Sequence, residues 1–104
     1  MKNEESVLLV KFSSTLSPEA LQKTCVEDLD VFRSVPGLVQ KYYVSEESTG
    51  AISGFYIFEN TKAREAFWNS ELAKKIPARY GGIPESFRIE KYELAIVLNS
   101  GVLV

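Results

Sequence analysis

The sequence predicts an α+β fold, and three observations lead to that prediction. Residues 35–58 place two apolar runs around one polar turn, which is typical of a β-hairpin. A helical pattern precedes this hairpin and another follows it. A further short apolar run lies before the first helix and another after the second. The predicted order is therefore strand, helix, strand, strand, helix, strand.

The hairpin is the central element of the prediction. Residues 38–44 are rich in Leu, Val and Tyr, which favours a strand. Residues 45–50 are polar and end in glycine, as expected of a hairpin loop longer than two residues. Residues 51–58 form the returning strand, in which Gly54 indicates a bulge or a close approach by another group. Both strands are apolar on both faces, which predicts burial on both sides.

One strand and one helix are predicted before the hairpin. Residues 7–12 form a short apolar strand. Ser17 and Pro18 mark a helix start, because serine caps helix amino termini and proline is tolerated in the first turn. An apolar stripe then continues to about Phe32 at spacings of three or four residues, through Leu21, Cys25, Leu29 and Phe32. In this stripe, the interpretation of Cys25 as a small core residue is favoured over that of a reactive thiol.

A second helical region and a last strand follow the hairpin. Asn60 is a candidate cap for a helix that begins near Lys62. Its inward positions are expected to be Ala63, Ala66 and Phe67. Ser70 indicates a fresh cap, and the chain from there to the Gly-Gly pair is irregular. The last strand covers residues 87–92, with residues 94–98 as a candidate extension.

This order matches the split βαβ pattern of a ferredoxin-like βαββαβ domain. Such a domain has an antiparallel sheet with both helices on one face. The other face would be an exposed apolar patch in a monomer, and patches of this kind mark interfaces. Pairing two sheet faces around a two-fold axis closes a barrel, so we expect a homodimer.

Composition and charge narrow the possible functions. With 104 residues, the chain is expected to form a single domain over residues 1–104. The net charge of −2 argues against a nucleic-acid partner. No apolar run is long enough for a signal peptide or a membrane span, so we expect a cytoplasmic protein with no membrane partner. Histidine is absent, which removes the usual general base and the commonest metal ligand, and no metal site is predicted.

The hairpin and the helix after it resemble a known family. The matching residues are Pro36-Gly37-Leu38, Lys41, an acidic loop, Ser53-Gly54-Phe55-Tyr56-Ile57-Phe58, and a helix with Ala63 and Ala66. They resemble the small YdhR-like mono-oxygenases of the dimeric α+β barrel superfamily, which are related to the antibiotic-biosynthesis mono-oxygenases. The similarity extends over nearly the whole chain, including Leu98-Asn99. Two features depart from the family: Ser53-Gly54 replaces a common Gly-Gly pair, and no histidine is available for a role assigned to one elsewhere.

The resemblance implies a dimeric barrel and an oxidation chemistry. A small aromatic or quinol-like compound would be oxidised by dioxygen without metal, flavin or haem, so no cofactor is expected. The deprotonated substrate supplies the electrons, and the protein supplies a dry, shaped pocket. Two alternatives stay open: a non-catalytic dimer that binds a small molecule, and a structural dimer with a filled core. No feature of the sequence separates the oxygenase from the binding protein.

Seven residues are candidates for substrate binding, and none is assigned a catalytic role. We expect a pocket between sheet and helices, near residues 68–82. The candidates are Lys41, Tyr43, Tyr56, Trp68, Asn69, Arg79 and Tyr80. Trp68 and Tyr80 would wall an aromatic ligand, although simple core filling is the favoured interpretation.

The remaining candidates are polar or charged. Tyr43 and Tyr56 could hydrogen-bond a phenolic oxygen, whereas Tyr42 must face away from Tyr43 because neighbouring strand residues point to opposite faces. Lys41 is either a snorkelling edge residue, which is favoured, or a desolvated cation that lowers the pKa of a substrate hydroxyl. Arg79 could hold an anionic substrate, with a solvent-facing role favoured. The Asn69 amide could orient an oxygen, although a residue at a helix break is the simpler interpretation.

Overall fold

The structure, a computed structural model, describes residues 5–49 and 51–95. Residues 96–98 of the candidate strand extension, and the Leu98-Asn99 match, lie outside the described residues. The elements in chain order are β1 (Ser6–Phe12), α1 (Pro18–Glu27), α2 (Leu29–Arg33), β2 (Leu38–Ser45), β3 (Ile52–Phe58), α3 (Thr61–Trp68), α4 (Glu71–Lys74), α5 (Ile76–Arg79), a 3-10 turn (Pro84–Ser86) and β4 (Arg88–Glu93).

The described strands form one four-stranded antiparallel sheet in the order β2-β3-β1-β4. β1 lies in the middle, where Val10 pairs with Gly54 of β3 on one side and with Ile89 of β4 on the other. This order, with a helical connection after β1 and another after β3, confirms the predicted ferredoxin-like α+β fold. The predicted homodimer stays a prediction.

One face of the sheet packs against the helices and forms the core. Alternate residues of β1 and β3 lie on this face, as the two-residue period of a strand requires. The core side chains are Leu8, Val10, Phe12, Cys25, Phe32, Tyr56, Phe58, Phe67, Ala73, Ile76 and Tyr80. They come from two strands and from all five of the described helices, so burial of this one face holds most of the chain together.

The opposite face of the sheet carries several apolar side chains that are partly exposed. Tyr42 of β2 is 49% exposed and packs its ring 6.3 Å from the ring of Phe55. Val44 and Tyr92 are also exposed. The prediction that both hairpin strands are buried on both faces is therefore wrong for β2, because residues 5–49 and 51–95 form no second layer over this face.

An irregularity in β2 sets which residues of this strand face the helices. Leu38 pairs with Phe58, Gln40 pairs with Ile57, and the register shifts between Leu38 and Gln40. Lys41 consequently pairs with Tyr56. Because of this extra residue, Leu38 and Lys41 both point towards the helices although they are three positions apart.

The first predicted helix is divided into two. The Ser17 hydroxyl accepts a hydrogen bond from the Ala20 amide at 3.2 Å, which confirms the predicted start. Asp28, with φ −94° and ψ 1°, separates α1 from α2, so the continuous helix predicted up to Phe32 is wrong. Cys25 and Phe32 are buried as predicted, but Leu29 is exposed because the break changes the direction of the stripe.

The inward face of α3 differs by one position from the prediction. Asn60 caps the helix by accepting a hydrogen bond from the Ala63 amide at 2.8 Å, as predicted. Phe67 is buried, but Ala66 is exposed and Arg64 is buried instead. Arg64 is accommodated because its Nη1 donates to the carbonyl oxygen of Tyr92 at 3.0 Å. The charged end of a core-facing arginine thus reaches backbone acceptors of the sheet.

The predicted restart at Ser70 is confirmed, since its hydroxyl accepts from the Ala73 amide at 3.2 Å at the start of α4. Among the helices of residues 5–49 and 51–95, none combines the length and the apolar character needed to cross a bilayer.

Candidate functional site

The side chain of Lys41 ends among four aromatic rings between the sheet and the helices. Its Nζ lies 3.2 Å from the ring centroid of Phe32 and 4.1 Å from that of Tyr43. The ring centroids of Tyr56 and Tyr80 are 4.6 Å and 5.9 Å away. Nζ also donates a hydrogen bond to the Tyr43 hydroxyl at 2.9 Å. We refer to Lys41 and these four rings as the lysine box.

The charge of Lys41 is poorly compensated. Within residues 5–49 and 51–95, no carboxylate forms an ion pair with this lysine. Loss of contact with water lowers the pKa of Lys41 to about 7, and smaller effects of Cys25 and Asp28 act in the opposite direction. Near neutral pH the amine is therefore present both as a proton donor and as a proton acceptor.

A chain of polar groups connects the lysine box to the protein surface. The Tyr80 hydroxyl donates to Oδ2 of Asp28 at 2.9 Å. Arg79 holds the same carboxylate through Nε, at 3.1 Å, and through Nη2, at 3.0 Å. The hydrogen bond from Arg79 is the main reason why the pKa of Asp28 is below its usual range. Asp28 is thus an ionised anchor for Tyr80 rather than a free general base.

The tyrosines of the box remain protonated at neutral pH. Burial raises the pKa of Tyr43 to about 12. Burial also raises the pKa of Tyr56 and of Tyr80, and for Tyr80 the nearby Tyr43 and Asp28 add to the effect. The hydroxyls of Tyr43 and Tyr56 are therefore available as hydrogen-bond donors to a substrate oxygen, whereas Tyr80 already donates to Asp28.

Gly54 gives the Tyr56 ring its space. A Cβ atom at Gly54 would lie 2.8 Å from Cε1 and 3.1 Å from the hydroxyl oxygen of Tyr56. Gly54 also pairs with Tyr43 across the hairpin. The close approach predicted at this glycine is therefore confirmed, and it is made by the Tyr56 side chain.

The lysine box adjoins one small cavity and two larger grooves. The inner cavity, bounded by Lys41, Tyr43, Tyr56 and Tyr80 among others, holds about 20 Å³, which is room for a single water molecule. An apolar groove of about 570 Å³ between α1 and the β2–β3 hairpin, here called the outer groove, shares Leu21, Cys25, Tyr43 and Ile52 with this cavity. A second groove of about 300 Å³ between α2 and β2 includes Lys41 itself.

Four of the seven candidate residues come together here. They are Lys41, Tyr43, Tyr56 and Tyr80. Arg79 lies at the surface and is connected to the box through Asp28. Trp68 lies apart, in a groove bounded by Ala73, Lys74, Ile76, Pro77, Phe87 and Ile89. Asn69 is exposed at the end of α3, where its amide donates to the Glu65 carbonyl at 2.9 Å, and Tyr42 is on the other face of the sheet.

Three residues of the site were not among the sequence candidates. Phe32 forms the closest aromatic contact of Lys41, Asp28 anchors Tyr80, and Cys25 borders both the inner cavity and the outer groove. Cys25 and Phe32 were predicted to be buried on one helix face. That apolar stripe is the sequence signal that could have identified both as residues of the site. Burial raises the pKa of the Cys25 thiol.

In the part of the chain that the structure describes, no three His, Cys, Asp or Glu side chains are grouped so that they could hold a metal ion. No protein-family model and no curated protein matches the sequence.

Solved structures do share the fold. SnoaB, a cofactor-independent oxygenase from Streptomyces nogalater, is similar with a TM-score of 0.64 and 10% identity, over 93% of this chain and 97% of that protein. A mono-oxygenase from the gene ActVA-Orf6 of Streptomyces coelicolor, solved in complex with the ligand nanaomycin D, gives a TM-score of 0.67 and 13% identity over 95% of each chain. The NE2512 protein of unknown function from Nitrosomonas europaea gives 0.70 and 20% identity over 97% of this chain and 100% of that protein.

The chain therefore has the ferredoxin-like fold found in these mono-oxygenases. At such low identity the similarity establishes the fold alone, because one fold can host many unrelated reactions.

Proposed function

We propose that this protein is a cofactor-free mono-oxygenase of the YdhR-like type, acting on a small aromatic or quinol-like compound. The observation that carries the proposal is the amine of Lys41, which is held without an ion-pair partner among the described residues. Lys41 borders the inner cavity, and this cavity shares four lining residues with the apolar outer groove. Two of the structures with this fold are oxygenases by name, which supports the same reaction class.

The sizes of the cavities suggest how a substrate would lie. The outer groove, at about 570 Å³, is within the usual range for small-molecule sites, whereas the inner cavity, at about 20 Å³, is too small for an aromatic ring. The ring would occupy the outer groove, and its hydroxyl would point into the inner cavity. There the oxygen meets Lys41 and Tyr43.

The residues of the box have defined roles in this chemistry. Neutral Lys41 accepts the proton of the substrate hydroxyl, and the resulting ammonium stabilises the phenolate. The phenolate gives electrons to dioxygen, one oxygen atom becomes bonded to a ring carbon, and the other leaves as water. The two hydrogens of that water come from the hydroxyl and from the ring carbon, so the product is a quinone and no external reductant is needed.

The test is oxygen consumption by the purified protein with a panel of naphthols and quinols. We expect consumption of dioxygen, a quinone product that carries one labelled oxygen from ¹⁸O₂, and loss of at least about tenfold in rate for Lys41→Met. Trp68→Phe, in the separate groove, is the matched control and should retain the rate. Identical products with and without dioxygen would contradict the proposal.

A second candidate function is non-catalytic binding of the same class of aromatic compound. It is favoured by the engagement of Asp28 with Arg79 and Tyr80, because this carboxylate is then not free to act as a general base beside Lys41. In this case naphthols would quench the tyrosine and tryptophan fluorescence without oxygen consumption. Lys41→Met would then weaken binding and have no turnover to affect. Turnover abolished by one box substitution in a folded protein would exclude this candidate.

A further inference from the structure

Lys41 has the surroundings of a nucleophilic amine as well as those of a proton acceptor. Its Nζ lies beside one hydroxyl, that of Tyr43, and against apolar ring faces. Lys41 is also one of the residues that border the solvent-open groove between α2 and β2. Buried amines of this kind attack carbonyl carbons, because the neutral form carries the required lone pair.

We propose that Lys41 is a covalent carbonyl-binding site, at which the amine forms an imine with a small aromatic aldehyde. This inference goes beyond the proposed oxygenase activity and does not depend on it. The aromatic class follows from the groove of about 300 Å³ between α2 and β2, where Phe32, Leu38 and Tyr43 offer apolar and aromatic surface to an aryl ring beside Lys41.

Groups of the lysine box can transfer the protons that imine formation requires. The Lys41 nitrogen forms a bond to the carbonyl carbon, and one amine proton passes to the oxygen to give a carbinolamine. The C–O bond then breaks and the oxygen leaves as water, with the Tyr43 hydroxyl in position to supply a proton and recover one. The product is an imine, and no oxidant or reductant takes part.

Several ionisable groups lie around the amine. Tyr43 lies on the same strand, Tyr56 on β3, Cys25 on α1, and Tyr80 follows α5. All four are neutral at pH 7 because their pKa values are raised by burial. Asp28 is the one anion among the residues that influence Lys41, and Arg79 neutralises it. The neutral amine is consequently abundant near neutral pH.

The experiment uses benzaldehyde with sodium cyanoborohydride on the intact protein, followed by peptide mass mapping. At neutral pH we expect benzylation of Lys41 to exceed that of any exposed lysine by about tenfold or more, because an ordinary lysine with a pKa near 10.4 is almost fully protonated. The rate at Lys41 should be half-maximal near pH 7, whereas labelling of an amine with the ordinary lysine pKa near 10.4 still rises at about pH 9.

Two variants complete the test. In Lys41→Arg the preferred adduct should disappear, and in Tyr43→Phe it should form several-fold more slowly, as expected for loss of the proton donor. Because the main measurement is made on the wild-type protein, the test does not depend on the folding of either variant. Benzylation spread evenly over the surface lysines, or absent from Lys41, would overturn the proposal. Oxygen consumption with quinols is measured separately, so failure of one proposal leaves the other testable.

Discussion

At Lys41, two physical effects act on the same ammonium in opposite directions. The aromatic faces attract the cation, which is worth about 0.5–2 kcal/mol for a ring at close range. Removing an ion from water costs several kcal/mol after relaxation, by the usual order of magnitude. The second effect is larger, and this explains why the pKa of Lys41 falls to about 7 although its nitrogen lies 3.2 Å from the Phe32 ring centroid.

This balance predicts a characteristic pH dependence of stability. The pKa of Lys41 is about 7 in the folded protein and near 10.4 in the unfolded chain, so between these values the unfolded state binds more protons. The contribution of Lys41 to stability therefore rises with pH, by at most about 1.4 kcal/mol per pH unit.

We expect the free energy of unfolding of wild type, relative to Lys41→Met, to increase between about pH 7 and about pH 8.5. Urea unfolding at both pH values measures this difference. Lys62→Met, which changes an exposed lysine of α3, is the control for the removal of one lysine charge. If the curves of wild type and Lys41→Met stay parallel over this range, Lys41 does not titrate as described.

Gly54 offers a second test at single-residue scale. In Gly54→Ala the new Cβ would lie 2.8 Å from Cε1 of Tyr56, so the ring must move. We expect a loss of about 1–3 kcal/mol in the free energy of unfolding, the usual cost of overpacking. In the background of Tyr56→Leu, which removes the ring, the same substitution should cost clearly less. Equal costs in the two backgrounds would show that the Tyr56 ring is not the obstacle.

Among the elements, the α1–α2 junction is the one that connects the site to the rest of the fold. Asp28 ends α1, and its carboxylate accepts hydrogen bonds from Arg79 and Tyr80 at the end of α5. These hydrogen bonds hold the end of α1 and the end of α5, which are far apart in the sequence, together beside the lysine box. A change at this junction should affect both stability and the position of Tyr80.

We predict that Asp28→Asn lowers the free energy of unfolding by about 1–3 kcal/mol at neutral pH, the range for hydrogen bonds to a charged group. The pKa of Asp28 is lowered in the folded state, so its contribution is present above the unfolded value near 3.9 and is lost as the pH falls through the lower folded value. The difference between wild type and variant should therefore shrink in acid.

Urea unfolding across the acidic range checks this prediction. Asp30→Asn is the matched control, since Asp30 forms an exposed pair with Arg33 and its loss should change stability by less than about 0.5 kcal/mol. A difference between wild type and Asp28→Asn that persists undiminished in strong acid would contradict the prediction.

The helices also show what sequence patterns can and cannot predict. The caps at Ser17, Asn60 and Ser70 are local hydrogen bonds within three residues, and all three were predicted. The break at Asp28 was not, because apolar spacings of three and four continue across a one-residue interruption. Burial of Arg64 was missed because its partners are carbonyls of distant strands.

The site was only partly predictable, because it also depends on contacts between residues that are distant in the sequence. Tyr43, Tyr56, Tyr80 and Lys41 were candidates by residue type, but their convergence depends on strand register and on the division of the first helix. Trp68 and Tyr80 were expected to share one pocket because they are close in sequence. In the fold they border different cavities, since α4 and α5 lie between them.

For the whole molecule, the uncovered sheet face carries the prediction of a homodimer. Phe55 lies near the middle of this face and packs against Tyr42. In the variant Phe55→Lys, a charge would have to be buried between two paired sheets, which is unfavourable by several kcal/mol without a partner. We expect wild type to be a dimer and Phe55→Lys a monomer in size-exclusion chromatography with light scattering.

The control for this prediction is Val26→Lys, which changes an exposed apolar residue of α1, on the helical side of the molecule. This variant should remain dimeric. A monomeric wild type at micromolar concentration, or dissociation by the Val26 substitution alone, would contradict the assignment of the interface to the sheet face.

The irregular register of β2 has a consequence for solubility. β2 is at the edge of the sheet, and a regular apolar edge strand presents backbone groups with which the edge of another chain can pair. The extra residue between Leu38 and Gln40 interrupts that regular series of donors and acceptors. The same irregularity that turns Lys41 inwards thus protects the edge against edge-to-edge aggregation.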